Sequence, residues 1–349
     1  MIAVVSGATG GHLYPAISIV TAMKQTSLFF VSRQFPAQQI LDSYGIPFVV
    51  HHMPRWQWVL FPFILIQTVI KLIKAKPQLV MCMGGRICLP YAVMAWLCRI
   101  PVVSFEQNVI PGRATRLNQL FSKTIVTAFD RTTDFLIFKK KVNCLGNPLR
   151  THYPNDSEQI KQLIGTITGN TLVIIGGSQG ALGINQWVKK NVDQLLLNQW
   201  NIIHLTGSNY FETHGGSDPF KVVNAYGCNY IMIPYLNDIR LLYGCATVAL
   251  CRAGATTLSE LRYYNCPAIL VPYPYAMDNH QQLNAEAFIT MDPTSKIVSA
   301  DQLNAISAVE LLTPYQSLLS PRFINGFKID AVKCSATVKI CEILQKVLK

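Results

Sequence analysis

The chain has 349 residues, half of them hydrophobic and 14% charged, with a net charge of +12 from 30 basic against 18 acidic side chains. That length is too great for one ordinary domain and comfortable for two, and the composition excludes an intrinsically disordered chain. The charge favours an anionic partner (nucleic acid, an acidic membrane surface or a phosphorylated ligand), while the ten cysteines form no C-x-x-C pair, so they read as small buried apolar side chains rather than zinc ligands.

Residues 2–5 are apolar, follow no basic residue and break at Ser6-Gly7, so they read as a first strand and not as a leader. The loop Ser6-Gly7-Ala8-Thr9-Gly10-Gly11-His12 comes next, then a helix over 13–24. Glycines there let the chain turn tightly and let backbone N–H groups approach a phosphate at a helix start; a plain strand–helix turn uses them equally well. No G-x-G-x-x-G is present, Ser32-Arg33 stand where a dinucleotide site needs an acid, and no G-K-[ST] follows. His12 lies at the mouth of this turn, where an imidazole either takes a proton near neutral pH or simply packs.

A strand over 28–31 leads to the aromatic run His51-His52-Met53-Pro54-Arg55-Trp56-Gln57-Trp58 and a helical stretch ending in Lys71, Lys74 and Lys76. Its apolar part, 58–73, is interrupted by Pro62, Gln67 and Lys71 and is shorter than a membrane span, so no transmembrane helix is expected. An apolar surface bordered by lysines suits an anionic membrane; a core helix with a solvated basic end is the competing reading. Strands over 79–81, 102–105 and 124–127 alternate with helices such as 89–99, and Glu106-Gln107-Asn108 follows the second of these strands.

The pattern stops at Gly146-Asn147-Pro148, a polar stretch follows, and strands resume at 171–175, 201–205, 230–233, 248–251 and 268–271. This second set also opens on a glycine loop, Gly176-Gly177-Ser178-Gln179-Gly180. Cys251-Arg252-Ala253-Gly254-Ala255-Thr256-Thr257-Leu258-Ser259-Glu260 is a strand end, a small-residue turn and a helix start. Its amides suit a diphosphate and Glu260 suits ribose hydroxyls, although Thr257 and Glu260 also fit a capping box. Asp278 to Asn284 reads as a polar loop able to meet a sugar. Strand–helix alternation with two similar openings predicts an α/β chain of two Rossmann-like domains, 1–150 and 151–331, with a terminal helix over 332–349 that fits either.

The motifs Thr9-Gly10-Gly11-His12, Met83-Gly84-Gly85, Glu106-Gln107-Asn108, Gly146-Asn147-Pro148-Leu149-Arg150, Gly176 to Gly180, Cys251 to Gly254 with Ser259-Glu260, and Gln281 to Ala285, in that order, resemble the MurG family of N-acetylglucosaminyltransferases. The resemblance implies a GT-B fold, two Rossmann-like domains with parallel sheets facing a central cleft, and return of the terminal helix to the first domain. It implies inverting transfer from UDP-N-acetylglucosamine to the muramyl 4-hydroxyl of an undecaprenyl-pyrophosphoryl-muramyl-peptide, at the cytoplasmic face of the membrane, alongside cell-wall assembly proteins, with no cofactor, no metal and no nucleic acid. By matched position His12 is the base and Glu106 a nearby acid. Ser178 and Ala255, Thr256, Thr257 and Leu258 meet the diphosphate, with Ser259 beside them. Glu260 meets the ribose, Leu236 flanks the uracil, Arg150 contacts the nucleotide, and Gln281, Asn108, Thr9, Gly10 and Gly11 meet the sugar.

Two loops depart from the family: Arg86-Ile87-Cys88 replaces Tyr-x-Ser, and Arg113-Ala114-Thr115 replaces Leu-Thr-Asn. Both belong to the acceptor side. The alternatives are a related enzyme with another acceptor, a UDP-N-acetylglucosamine epimerase, a nicotinamide-dependent oxidoreductase, disfavoured by the missing fingerprint, and a non-catalytic membrane-associated binder.

Overall fold

The computed structural model describes residues 1–53, 60–150, 158–165, 167–177, 180–215, 220–318 and 335–348. The chain divides into two compact units, Met1–His152 with Ile329–Lys349, and Tyr153–Lys328.

The first unit holds seven strands: β1 (Ile2–Ser6), β2 (Ser27–Val31), β3 (Phe48–Val50), β4 (Leu79–Cys82), β5 (Val102–Glu106), β6 (Thr124–Thr127) and β7 (Val142–Cys144). They pair in the order β3-β2-β1-β4-β5-β6-β7, all parallel, with Val4 opposite Phe29 on one side and Met81 on the other. β1, β4, β5 and β6 are buried along their whole length, as a parallel sheet covered on both faces requires. Alternation divides their side chains between two cores. Ile2 and Val4 pack with Leu13 and Ile17, whereas Ala3 and Val5 pack with Phe30 and Tyr91.

The helix Gly10–Met23 buries Leu13, Ala16, Ile17 and Val20, an i, i+3, i+4, i+7 stripe, and stops where Lys24 turns left-handed at φ 52°. The helix Ser335–Leu348 packs against it and buries Ile340 and Leu344 in the same core, so the terminal helix belongs to the first unit.

The second unit holds β8 (Thr171–Ile175), β9 (Asn201–Leu205), β10 (Lys221–Ala225), β11 (Cys228–Ile233), β12 (Val248–Cys251), β13 (Ala268–Leu270) and β14 (Lys296–Ile297), in the order β10-β11-β9-β8-β12-β13-β14. Only the β10–β11 pairing is antiparallel. Its core gathers Leu172, Ile174, Ile184, Trp187, Val188 and Trp200.

Four strands were not expected: β3, β7, β10 and β14. Each is short or lies at a sheet edge, with partly exposed residues, so its apolar run is too brief, as in Phe48-Val49-Val50, or too mixed with polar residues to mark a buried strand. Ten strands fall where the apolar runs put them. In each sheet the strand order reverses beside the unit's first strand, between β1 and β4 and between β8 and β12. Open α/β sheets place ligands at the carboxyl ends of strands at such reversals. Among the described residues no helix is long and apolar enough to cross a membrane.

Candidate functional site

In the first unit the loops after β1, β4 and β5 meet around one imidazole. Gly7 N donates to Gly84 O (2.9 Å) and Met83 N to Val5 O (2.8 Å), tying the first two loops together. Gly84 (φ 119°) lies flat against the His12 ring: a β-carbon there would stand 2.5 Å from Cε1 and 2.7 Å from Nδ1. Gly84, the first of the middle glycines, is therefore the seat of the histidine, a role its resemblance alone did not assign, while Gly85 packs against Gly7. The Cys88 thiol donates to Gly84 O (3.2 Å) and reinforces that seat at one of the departing loops.

His12 Nδ1 lies 3.2 Å from Gln107 Oε1, and Gln107 Nε2 donates to Met83 O (3.0 Å). Burial lowers the His12 pKa below its ordinary value, while the Glu106 charge and the Gln107 hydrogen bond oppose that shift. His12 is thus neutral at pH 7, as a proton acceptor must be.

Glu106, expected beside His12 as a second catalytic group, is spent on its own loop. Its Oε1 accepts from Asn108 N (3.1 Å) and Asn108 Nδ2 (3.3 Å); its Oε2 accepts from Gly112 N (2.9 Å) and Thr115 Oγ1 (2.7 Å). Four donors around a buried carboxylate leave it a loop organiser that reaches His12 through its charge. The same contact draws the Asn108 amide inward.

Thr9 and Gly11 are exposed at the start of the helix Gly10–Met23, and Thr9 makes no side-chain capping bond. A β-carbon on Gly11 would meet nothing, which leaves open backbone beside the first helical amides. Arg150 is buried, with its guanidinium 4.5 Å from the ring centre of Tyr14, one turn beyond the glycines.

In the second unit the loop after β8 needs its glycines for conformation. Gly177 and Gly180 have φ of 80° and 76°, and a β-carbon on Gly180 would stand 2.2 Å from Thr206 O. That carbonyl is itself held: Asn185 Nδ2 donates to it (2.9 Å), and His204, wholly buried, bridges Asn185 Oδ1 and the Tyr230 hydroxyl. Burial brings the His204 pKa down to about 3, so this network is uncharged. Ser178 lies outside the described residues.

The helix Ala255–Tyr264 starts on Gly254, so Thr257 occupies its first turn and does not cap it; no side-chain capping bond forms. The capping-box reading of Thr257 and Glu260 is corrected accordingly. Ala255, Leu258 and Glu260 are buried, with Thr256, Thr257 and Ser259 partly exposed and Ser259 Oγ returned to Ala255 O. Tyr243 donates to Glu260 Oε2 (3.0 Å); burial and the Glu260 charge keep that phenol protonated. Tyr243 carried no sequence signal. Leu236 is buried just after β11.

The expected polar loop is mostly helical. Asp278 and Asn279 are consecutive left-handed residues, and His280–Ile289 is a helix in which Asn284 is buried against Ala253 O and Gln282 bonds Glu286. Gln281 accepts from Tyr273 N through Oε1 (2.9 Å), which aims Nε2 away as a donor. Arg252 bonds Val271 O and Pro272 O at the same edge.

The glycosyltransferase family 28 N-terminal domain matches residues 2–127, and the C-terminal domain of that family matches residues 171–304. Among curated relatives, the UDP-N-acetylglucosamine–N-acetylmuramyl-(pentapeptide) pyrophosphoryl-undecaprenol N-acetylglucosamine transferase of Lawsonia intracellularis is 30% identical, over 96% of this chain and 95% of its own. The enzyme of that name from Prosthecochloris aestuarii is 34% identical over 84% of each. Among solved structures, Acinetobacter baumannii MurG superposes with a TM-score of 0.66 at 20% identity, covering 99% of both chains. A UDP complex of Staphylococcus aureus MnaA gives 0.65 at 13%, covering 99% of this chain and 96% of that one.

Proposed function

The chain belongs to glycosyltransferase family 28 and within it to the MurG family, and from that premise we propose that it transfers N-acetylglucosamine from UDP-N-acetylglucosamine to the muramyl 4-hydroxyl of lipid I, giving lipid II. The observation that carries the mechanism is His12, neutral, seated on Gly84 at the strand-order reversal of its sheet. The acceptor hydroxyl gives its proton to His12 as it attacks the anomeric carbon from the side opposite UDP, inverting the configuration in one displacement.

The second unit takes the donor. Amides at the start of the helix Ala255–Tyr264 and in the Gly176–Gly180 loop, with Ser178, stabilise the charge growing on the departing diphosphate. Glu260, oriented by Tyr243, accepts from the ribose, Leu236 flanks the uracil, and the Gln281 Nε2 meets the sugar. Of the first unit's own residues, Thr9, Gly10, Gly11 and Asn108 are assigned to sugar contact and Arg150 to nucleotide contact by their motif positions. Glu106 serves by holding its loop.

The acceptor end lies at an anionic membrane surface on the cytoplasmic side. On the helix Phe61–Ala75, Ile64, Thr68 and Leu72 face the core, whereas Phe63, Ile66, Ile70 and Ile73 form an exposed stripe, 46–62% accessible, next to Lys74 and Lys76. An unburied apolar stripe beside lysines fits a headgroup boundary. The tryptophans expected to share this role, Trp56 and Trp58, lie outside the described residues.

One assay tests the reading: transfer of labelled N-acetylglucosamine to lipid I in anionic vesicles, and to a short-chain soluble analogue, with chelator present. Both proceed in the unaltered protein, and His12→Ala lowers both by roughly 10²-fold or more. Phe63→Ser with Ile66→Ser impairs only the vesicle reaction. Formation of UDP-N-acetylmannosamine without acceptor, in place of transfer, overturns the assignment in favour of an epimerase.

A further inference from the structure

We propose that Gln107 is a positioning residue that holds His12 in the Nδ1–H tautomer and so presents Nε2 as the proton acceptor. The inference rests on the reading of His12 as the base. Met83 O can only accept a hydrogen bond, so the Gln107 atom facing it is the amide nitrogen, 3.0 Å away. That fixes the other end of the amide: Oε1, an acceptor, points at His12 Nδ1 at 3.2 Å. An acceptor at that distance places the ring proton on Nδ1, and the lone pair of the neutral imidazole is then on Nε2.

The backbone of one loop thus selects the tautomer of a side chain on another, through a buried amide. Glu106, the adjacent residue, is excluded from the part because both its oxygens are taken by Asn108, Gly112 and Thr115. An uncharged amide therefore stands where serine hydrolases place a carboxylate. The difference matters: an uncharged amide orients the ring while favouring its protonation less than a carboxylate in the same place would. The groups that bear on the ring are the Glu106 charge from β5, the Gln107 amide and the Met83 backbone; burial opposes all three and keeps the pKa below its ordinary value.

The test joins a spectroscopic readout to a pH profile. In protein labelled with ¹⁵N-histidine, the His12 resonances, assigned by their loss in His12→Gln, should show a protonated Nδ1 and a bare Nε2 at pH 8. A bare Nδ1 in the unaltered protein overturns the proposal whatever the transfer activity; a protonated Nδ1 with no transfer upholds the positioning and sinks the enzymatic reading instead. Gln107→Met, similar in shape but without the acceptor, should lose the tautomer preference and drop kcat roughly 10²-fold, with the KM for the UDP-sugar unchanged. Gln107→Glu puts a charge beside the ring and should move the acid limb of kcat/KM upward by about 1 to 3 pH units. A Gln107→Met protein with unchanged kcat, or a Gln107→Glu protein with an unmoved acid limb, counts against the proposal.

Discussion

The two units share a sheet plan and a glycine loop after their first strand, yet they set up their chemistry by opposite means. In the first, side chains are wired to one another: Met83 O, Gln107 and His12 form a line of fixed direction, and Glu106 gathers four donors of its own loop. In the second, the backbone is shaped first. Left-handed glycines and helix starts aim amides outward, and side chains such as Tyr243 and Asn185 hold that frame from behind. Controlling one proton needs a defined tautomer; holding a spread negative charge needs many weak dipoles that do not titrate.

That contrast predicts where each substitution shows itself. The largest effect is expected from Gly180→Ala, which combines a left-handed φ with a β-carbon 2.2 Å from Thr206 O. It should cost about 2–4 kcal/mol of stability, read from chemical unfolding, and weaken UDP binding by calorimetry. Retained UDP affinity would show that the second unit does not depend on its backbone frame.

Glu106→Gln comes next. It turns one acceptor toward Gly112 N and Thr115 into a competing donor, at about 1–3 kcal/mol. Transfer at saturating donor should fall while UDP affinity stays unchanged; the reverse split would break the comparison. Tyr243→Phe is the mildest. Losing one hydrogen bond to Glu260, worth about 1 kcal/mol, should raise the donor KM roughly 5-fold and leave kcat alone.

What could be read in advance follows the same division. Buried strands announce themselves as apolar runs, and the glycine loops, His12, Glu260 and Gln281 stand at motif positions, so the frame and most candidate groups were legible. The wiring was not, because it joins residues far apart in the chain: His12 and Gln107 are 95 positions apart. Nothing in Met83-Gly84-Gly85 says that its glycine carries a ring or that its carbonyl orients an amide. Tyr243 looks like any core aromatic until Glu260 is placed beside it. The four donors around Glu106 were hidden for the same reason: they are supplied by a loop whose closure no local pattern reveals. Thr257 and Glu260 matched a capping box by spacing, but the helix begins three residues earlier.

The terminal helix has a consequence for synthesis. Ile340 and Leu344 complete the core that Ile2, Val4, Leu13 and Ile17 begin, so contacts separated by more than 300 positions must close before that core is dry. On a ribosome the second unit emerges, and can fold, while the first still lacks its last wall. The half-built first unit then waits with an apolar groove along the helix Gly10–Met23 until residues 335–348 leave the exit tunnel. Emergence of residues 335–348, rather than of the first 150 residues, is the event that brings the first unit to its native state.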